Sequence, residues 1–431
     1  MAEKIFVEKF GGASVNSAKA VENVKHILEL STKKRIVVIS AMGKTTNALE
    51  EVVNLWYREK RLSNKLTEIA LYHSELLQEL LPNGEQFEKI SSILNCIIKE
   101  IEQKLYGINS TDYNFLYDSI VSYGEKISTT IVSYYLNFNG IKNKLITASD
   151  IVKTDNNYRN ASVLWKQTEE KAIKEVLPLF EHYDTLITQG FVGGTKEGLS
   201  TTLGREGSDY SASILAYCLK AESLTIWKDV PGLLNADPKR IEQTTQIISL
   251  PYREAIELSY YGASIIHPKT IKPLENLAIP LFIKSFIQPL QEGTKICNQE
   301  EIIPKVTNYI FKDNQILLSI SPKDFSFIDE KNMALIYNVL AKNNIKVNLM
   351  QNSAISFSVC FDENINILPL VLSDLKENFN IKYNTHLQLI TLRHYNQASA
   401  TDILKNKTLL IEQKNRTTVQ YLVENTTTKP L

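Results

Sequence analysis

Four consecutive β-branched residues, Ile36-Val37-Val38-Ile39, constrain the fold more than any other stretch of this chain. A strand with one solvated face alternates apolar and polar residues. An unbroken apolar run instead needs cover on both faces, as in parallel sheets flanked by helices. The residues before it agree. Lys4 to Phe10 alternates as a strand does, and from about Ser17 the residues Ala20, Val21, Val24, Ile27 and Leu28 recur on one helical face. Lys33-Lys34-Arg35 then closes a loop. Strand, helix and strand make one βαβ unit of a mainly parallel sheet.

The pattern repeats downstream. A long helical stretch runs to about Leu81 and stops at Pro82-Asn83-Gly84; more helix covers roughly Glu85 to Tyr106 and Phe115 to Phe138. The last contains Gly124, unfavourable in a helix by about 1 kcal/mol against alanine, which points to close packing or a ligand. Strand signals follow at Lys144 to Thr147, Thr185 to Thr188, Leu224 to Trp227 and Pro280 to Ile283. Helical patterns lie at about Ala161 to Leu177, Ser208 to Leu219, Tyr252 to Tyr261 and Ser264 to Asn276. Residues 1–303 thus read as one large α/β domain. Residues 304–384 change texture: strand Gln315 to Ser321, helix Lys331 to Lys342, strands Ile345 to Met350 and Ile355 to Phe361, helix Leu368 to Glu377. That is the outline of a small α+β ferredoxin-like unit. Residues 385–431 add two or three strands, too few for a second full unit.

Composition narrows the function classes. Lys+Arg and Asp+Glu number 48 each, so a net charge of zero makes no electrostatic case for nucleic acid or an anionic membrane. No apolar run approaches the roughly 20 residues that cross a bilayer, and Met1 to Ile5 lacks a secretory apolar region, so the cytoplasm is the expected compartment. Cys96, Cys218, Cys297 and Cys360 are far apart, and the histidines lack metal spacing, so no protein-held metal is expected.

Three glycine- or hydroxyl-rich loops follow strands: Gly11-Gly12-Ala13-Ser14, Ser40 to Thr46, and Gly190 to Ser208. Ligands of open α/β sheets lie at the carboxyl ends of strands, so these loops can converge on one crevice rich in backbone donors, which suits phosphate. None is a GxxxxGK[ST] loop. Lys9, just before Gly11, can neutralise a transferring phosphoryl group or stand as a plain strand-end lysine. Ser208 suits a helix N-cap and Asp209 the first turn of that helix. Asp209 can instead hold Lys9. Arg205 suits a carboxylate and Glu125 an ammonium; facing one crevice, the two would recognise an α-amino acid. His267, before Pro268 at a helix start, reads as structural.

Together these segments resemble the aspartokinases of the amino-acid kinase superfamily. Lys9-Phe10-Gly11-Gly12-Ala13-Ser14-Val15 is similar to the family's KFGGTSV opening, with Ala13 for Thr. Thr188-Gln189-Gly190-Phe191 and Thr201 to Tyr210 are similar to TQGF and TTTLGRGGSDY, with Glu206 for a glycine. Trp227-Lys228-Asp229-Val230-Pro231-Gly232 with Asp237-Pro238, and Gly262-Ala263-Ser264-Ile265-Ile266-His267-Pro268, match WTDVPG with DP and GAKVLHP. Order and spacing agree from residue 4 to about 300, and the C-terminal unit resembles an ACT regulatory domain.

The resemblance implies a three-layer α/β/α sandwich that transfers phosphate from ATP, with Mg²⁺, to the side-chain carboxylate of L-aspartate. It gives Lys9 and Asp209 the catalytic roles, and Gly11, Gly12, Ser14, Lys228, Asp229, Leu234, Lys239 and Ser264 the nucleotide. Ser40, Thr46, Glu125, Arg205 and Ser208 would hold aspartate. Leu234, Lys239 and Ser264 stand where the family often has an aromatic residue, an arginine and a lysine. The regulatory VDLISTSE is here Val347 to Ala354, losing its acidic positions at Asn348 and near Ser353, and a lysine or threonine effector would act there. A homodimer through the ACT sheets is the expected assembly. A kinase for another amino acid and a catalytically weak amino-acid sensor are the alternatives.

Overall fold

The computed structural model describes residues 4–425 except 63, 109, 264, 265 and 325. Contacts divide it into two compact units. The first comprises Met1–Leu233, Gln246–Ile256 and Ile265–Pro304, and the second Leu234–Thr245, Glu257–Ser264 and Lys305–Leu431.

The first unit is built on an eight-stranded sheet. Across it run Ser249–Pro251, Thr294–Cys297, Leu281–Ser285, Ser223–Lys228, Ile5–Phe10, Lys34–Ile39, Thr185–Gln189 and Asn143–Ile146. All pairings are parallel except Leu281–Ser285 with Thr294–Cys297. Ile36 to Ile39 are completely buried, as a strand covered on both faces must be. Ile5–Phe10 sits at the centre, between Lys34–Ile39 and Ser223–Lys228. Its alternation does not mean a wet face, because Glu8 and Lys9 are both buried. Glu8 takes Lys33 at 2.6 Å, and Lys9 takes Asp209 at 2.7 Å. Charges of opposite sign on neighbouring elements offset the cost of burying these side chains. Arg35, expected in a loop, is a buried strand residue beside Glu8.

Several helices are shorter than the periodicity suggests. The stretch to Leu81 is two helices, Thr45–Glu59 and Lys65–Leu80, because Lys60 turns left-handed at φ 52° and caps the first. The stretch to Phe138 breaks at Ser122 into Tyr113–Val121 and Tyr123–Phe138. Trp165–Lys171 gives way to a wider turn and then to a 3₁₀ segment with Pro178 in its first turn, a residue lacking the N–H that an α-helix needs. Gly124 is explained by packing: a Cβ there would lie 3.0 Å from the Ala41 Cβ.

The second unit holds a six-stranded sheet ordered Val347–Asn352, Phe357–Asp362, Asn308–Pro322, Phe379–Arg393, Thr418–Asn425, Lys407–Lys414. Helices Glu330–Lys342 and Leu368–Lys376 cover it through Ile336, Leu340, Val371 and Leu375, packed on Ile316, Leu318, Ile320 and Phe361. Phe379–Arg393 pairs along Asn308–Pro322 with two register shifts. This one strand spans position 385, and one of the shifts falls there, between the pairs Gln315–Leu387 and Leu317–Asn384. Asn348 lies in a polar network: its Oδ1 accepts from Lys312 at 2.8 Å, and its amide donates to Gln315 and Asp362, each at 2.8 Å. Ser353 is exposed and bonds to Ser356.

Candidate active site

The three loops expected to converge do so around a cavity of about 440 Å³ in the first unit. Ile5–Phe10 ends at Gly11, and Ser14 N–H closes a turn on Gly11 C=O at 2.9 Å. Lys34–Ile39 ends beside it, where Ser40 N–H donates to Phe10 C=O at 3.1 Å. Gly12 is required by the approach of these loops: a Cβ there would lie 2.7 Å from Ala41 O. Gly190 lies so close to Ser208 that any side chain would collide with it.

Lys9, Gly11, Gly12, Ser14, Ser40, Thr46, Glu125, Ser208, Asp209, Lys228 and Asp229 all line this cavity. Asp209 Oδ1 takes Lys9 Nζ at 2.7 Å, and Lys228 Nζ stands 3.9 Å from Oδ2. Two ammonium groups therefore flank one buried carboxylate. Glu125 lines the same cavity. Its Oε1 accepts from Ala41 N–H at 3.2 Å, while Oε2 is buried with no hydrogen-bond partner. Burial pushes its carboxyl up to about 8, against the pull of Ala41 N–H and Lys9. A ligand cation at Oε2 would relieve that cost.

Other predicted residues fall elsewhere. Arg205 is exposed and does not line the cavity, although Gly204 and Glu206 do. Leu234 and Lys239 do not line it either, and Ser264 lies outside the described residues. Ser208 is not the N-cap. The helix is Gly207–Cys218, and Glu206 precedes it at φ 54°, ψ 28°. That left-handed conformation accounts for a glycine being usual at this position. Glu206 recovers part of the strain, because its Oε2 accepts from His267 N–H at 2.8 Å. His267 caps Pro268–Asn276, its side chain accepting from Lys269 N–H.

Two residues escaped sequence reasoning. Trp227 lines the cavity, stacked on Phe10 at 6.0 Å, with a buried indole N–H that has no hydrogen-bond partner. Its place beside Lys228 at a strand end was the available signal. Asp118 accepts from Thr202 N–H at 2.8 Å, Thr202 Oγ1 at 2.7 Å and Arg159 N–H at 2.9 Å, fixing the approach to Leu203. Burial lifts its carboxyl to about 6 despite these donors. No spacing connects residues 118 and 202.

A parallel sheet whose strand-end loops hold paired lysines on a buried aspartate defines a class. The model of the amino acid kinase family matches residues 4–285, and the chain belongs to that family. Among its relatives are aspartokinases. The chain is 30% identical over 360 residues to lysine-sensitive aspartokinase 3 of Escherichia coli, covering 83% of this chain and 78% of that protein. It is 31% identical over 372 residues to aspartokinase 1, chloroplastic, of Arabidopsis thaliana, covering 83% of this chain and 63% of that protein. The structure of E. coli aspartokinase III in complex with lysine and aspartate aligns with a TM-score of 0.82 at 26% identity, over 98% of this chain and 96% of that one. The same enzyme in complex with aspartate and ADP aligns at 0.81, also at 26% identity and with the same coverage.

Proposed function

We propose that this chain transfers the γ-phosphoryl group of ATP to the side-chain carboxylate of L-aspartate, the entry step to lysine, threonine and methionine. The observation that carries it is one cavity holding Lys9, Lys228 and Asp209 together with the unpartnered Glu125 oxygen. In the reaction the bond from phosphorus to the β–γ bridging oxygen breaks. A carboxylate oxygen of aspartate bonds to phosphorus, and ADP leaves with the electron pair. Lys9 neutralises the transferring phosphoryl oxygens, and Asp209 aims its ammonium at 2.7 Å. Lys228 adds a second cation beside the leaving ADP. Gly11, Gly12 and Ser14 bring backbone N–H groups and a hydroxyl to the phosphates, with Asp229 at the nucleotide end of the cavity.

Glu125 receives the substrate ammonium, Ser40, Thr46 and Ser208 supply hydroxyls, and Arg205 closes from the exposed loop onto the α-carboxylate. Among the described residues no group of three or more His, Cys, Asp or Glu could hold a metal ion. Mg²⁺ would arrive on ATP, held mostly by phosphate oxygens and water, where it would neutralise phosphate charge. No described helix is long and apolar enough to cross a membrane; a cytoplasmic homodimer, paired through the antiparallel sheets, is the assembly we infer. A lysine or threonine effector would act on the second unit near Asn348 and Ser353.

A coupled ADP-release assay tests the reading. Aspartate-dependent turnover is expected, with glutamate far slower, and Lys9→Ala should lower kcat by about 10²–10³-fold. No turnover with any amino acid would sink it. Absence of inhibition by millimolar lysine or threonine would remove the effector alone.

A further inference from the structure

The helix Gly207–Cys218, which carries Asp209 to the active site, also borders a second cavity of about 370 Å³. Its walls are Trp165, Tyr210 and Tyr217, facing Lys269, Lys272 and Pro273 of helix Pro268–Asn276. Trp165 meets Tyr217 edge-on at 5.1 Å and Tyr210 at 6.4 Å. All three rings are half-buried, which leaves part of each to contact a ligand. Lys269 and Lys272 are exposed and three residues apart, so they share one helical face. No acidic side chain lines the cavity. None of these residues lines the active-site cavity.

Rings pack against rings, and ammonium groups beside them attract an anion. The volume falls in the range of small-molecule sites. We infer that this cavity binds an aromatic carboxylate, its ring between Trp165 and the tyrosines and its acid group on Lys269 and Lys272. Lys269 Nζ now donates to Asn160 Oδ1 at 2.6 Å, and a Cβ on Gly204 would lie 2.9 Å from that same oxygen. A bound carboxylate would compete for Lys269 and so reach the loop that bears Arg205.

Binding is measured without turnover, so its failure is distinguishable from failure of the kinase reading. The probe is 3-phenylpropionate, titrated calorimetrically into the full chain, with Trp165 fluorescence as a second readout. Saturable one-to-one binding is expected, retained with saturating ADP. The neutral amide of the probe, and Lys272→Ala at an exposed position that should not disturb folding, should each weaken it about tenfold. Trp165→Phe should remove the fluorescence change while calorimetric binding persists. No saturable binding, equal affinity for the amide, no effect of Lys272→Ala, or displacement by ADP would each overturn the proposal.

Discussion

Glu125→Gln separates what the buried carboxyl costs from what it contributes. Its pKa stands at about 8 against an ordinary 4.5, with burial the main cause. The folded state thus keeps a proton that the unfolded chain has released, and stability falls as pH rises from 4.5 towards 8. The slope from this one group approaches 1.36 kcal/mol per pH unit, so by pH 7 the loss is roughly 3 kcal/mol. Glutamine keeps the acceptor for Ala41 N–H and never ionises. The variant should therefore be more stable than the parent by a margin that grows from pH 5 to 8 and then levels off. Thermal melts of both proteins across that range measure it. Activity should move the other way. Loss of a charge-assisted contact to the substrate ammonium, about 1.5–3 kcal/mol, lowers kcat/KM for aspartate by roughly 10–150-fold. In the parent, binding a cation at Oε2 favours the ionised form, so aspartate should release a proton and its KM should fall as pH rises to about 8. A stability margin that stays flat with pH, combined with unchanged kcat/KM, would refute the assignment of Glu125.

Two further substitutions probe the loops. Gly12→Ala places a methyl group 2.7 Å from Ala41 O, a backbone atom that cannot swing away, so we expect a loss of about 1–3 kcal/mol in stability and little kinase activity, read by melting and ADP release. Glu206→Gly relieves the left-handed strain but gives up the bond to His267 N–H; each effect is about 1 kcal/mol, so the melting temperature should barely move while KM for aspartate shifts as the loop loosens. A large destabilisation would show that the Glu206–His267 contact outweighs the strain.

How much was legible in the chain itself follows from the range of each interaction. Ile36 to Ile39 declared a doubly covered parallel strand, since burial on both faces is written directly into a run of apolar residues. The glycine loops, Lys9 and Asp209 were legible because strand ends, tight turns and helix starts are local features. Tertiary structure decided the rest. Lys60 and Ser122 break helices at points where the apolar periodicity carries on. Asp118 joins Thr202 across 84 residues, which no spacing rule reaches. Glu206 and Arg205 are neighbours in sequence, yet one turns into the cavity and the other into solvent. The strand Phe379–Arg393 is long because its partner Asn308–Pro322 pairs with it on both sides of position 385, a through-space match that the local pattern does not show. Sequence determined which chemistry this chain carries, because residue types and local turns are set along the backbone. Only the folded structure decided which of those groups meet, because burial and opposite charge act through space.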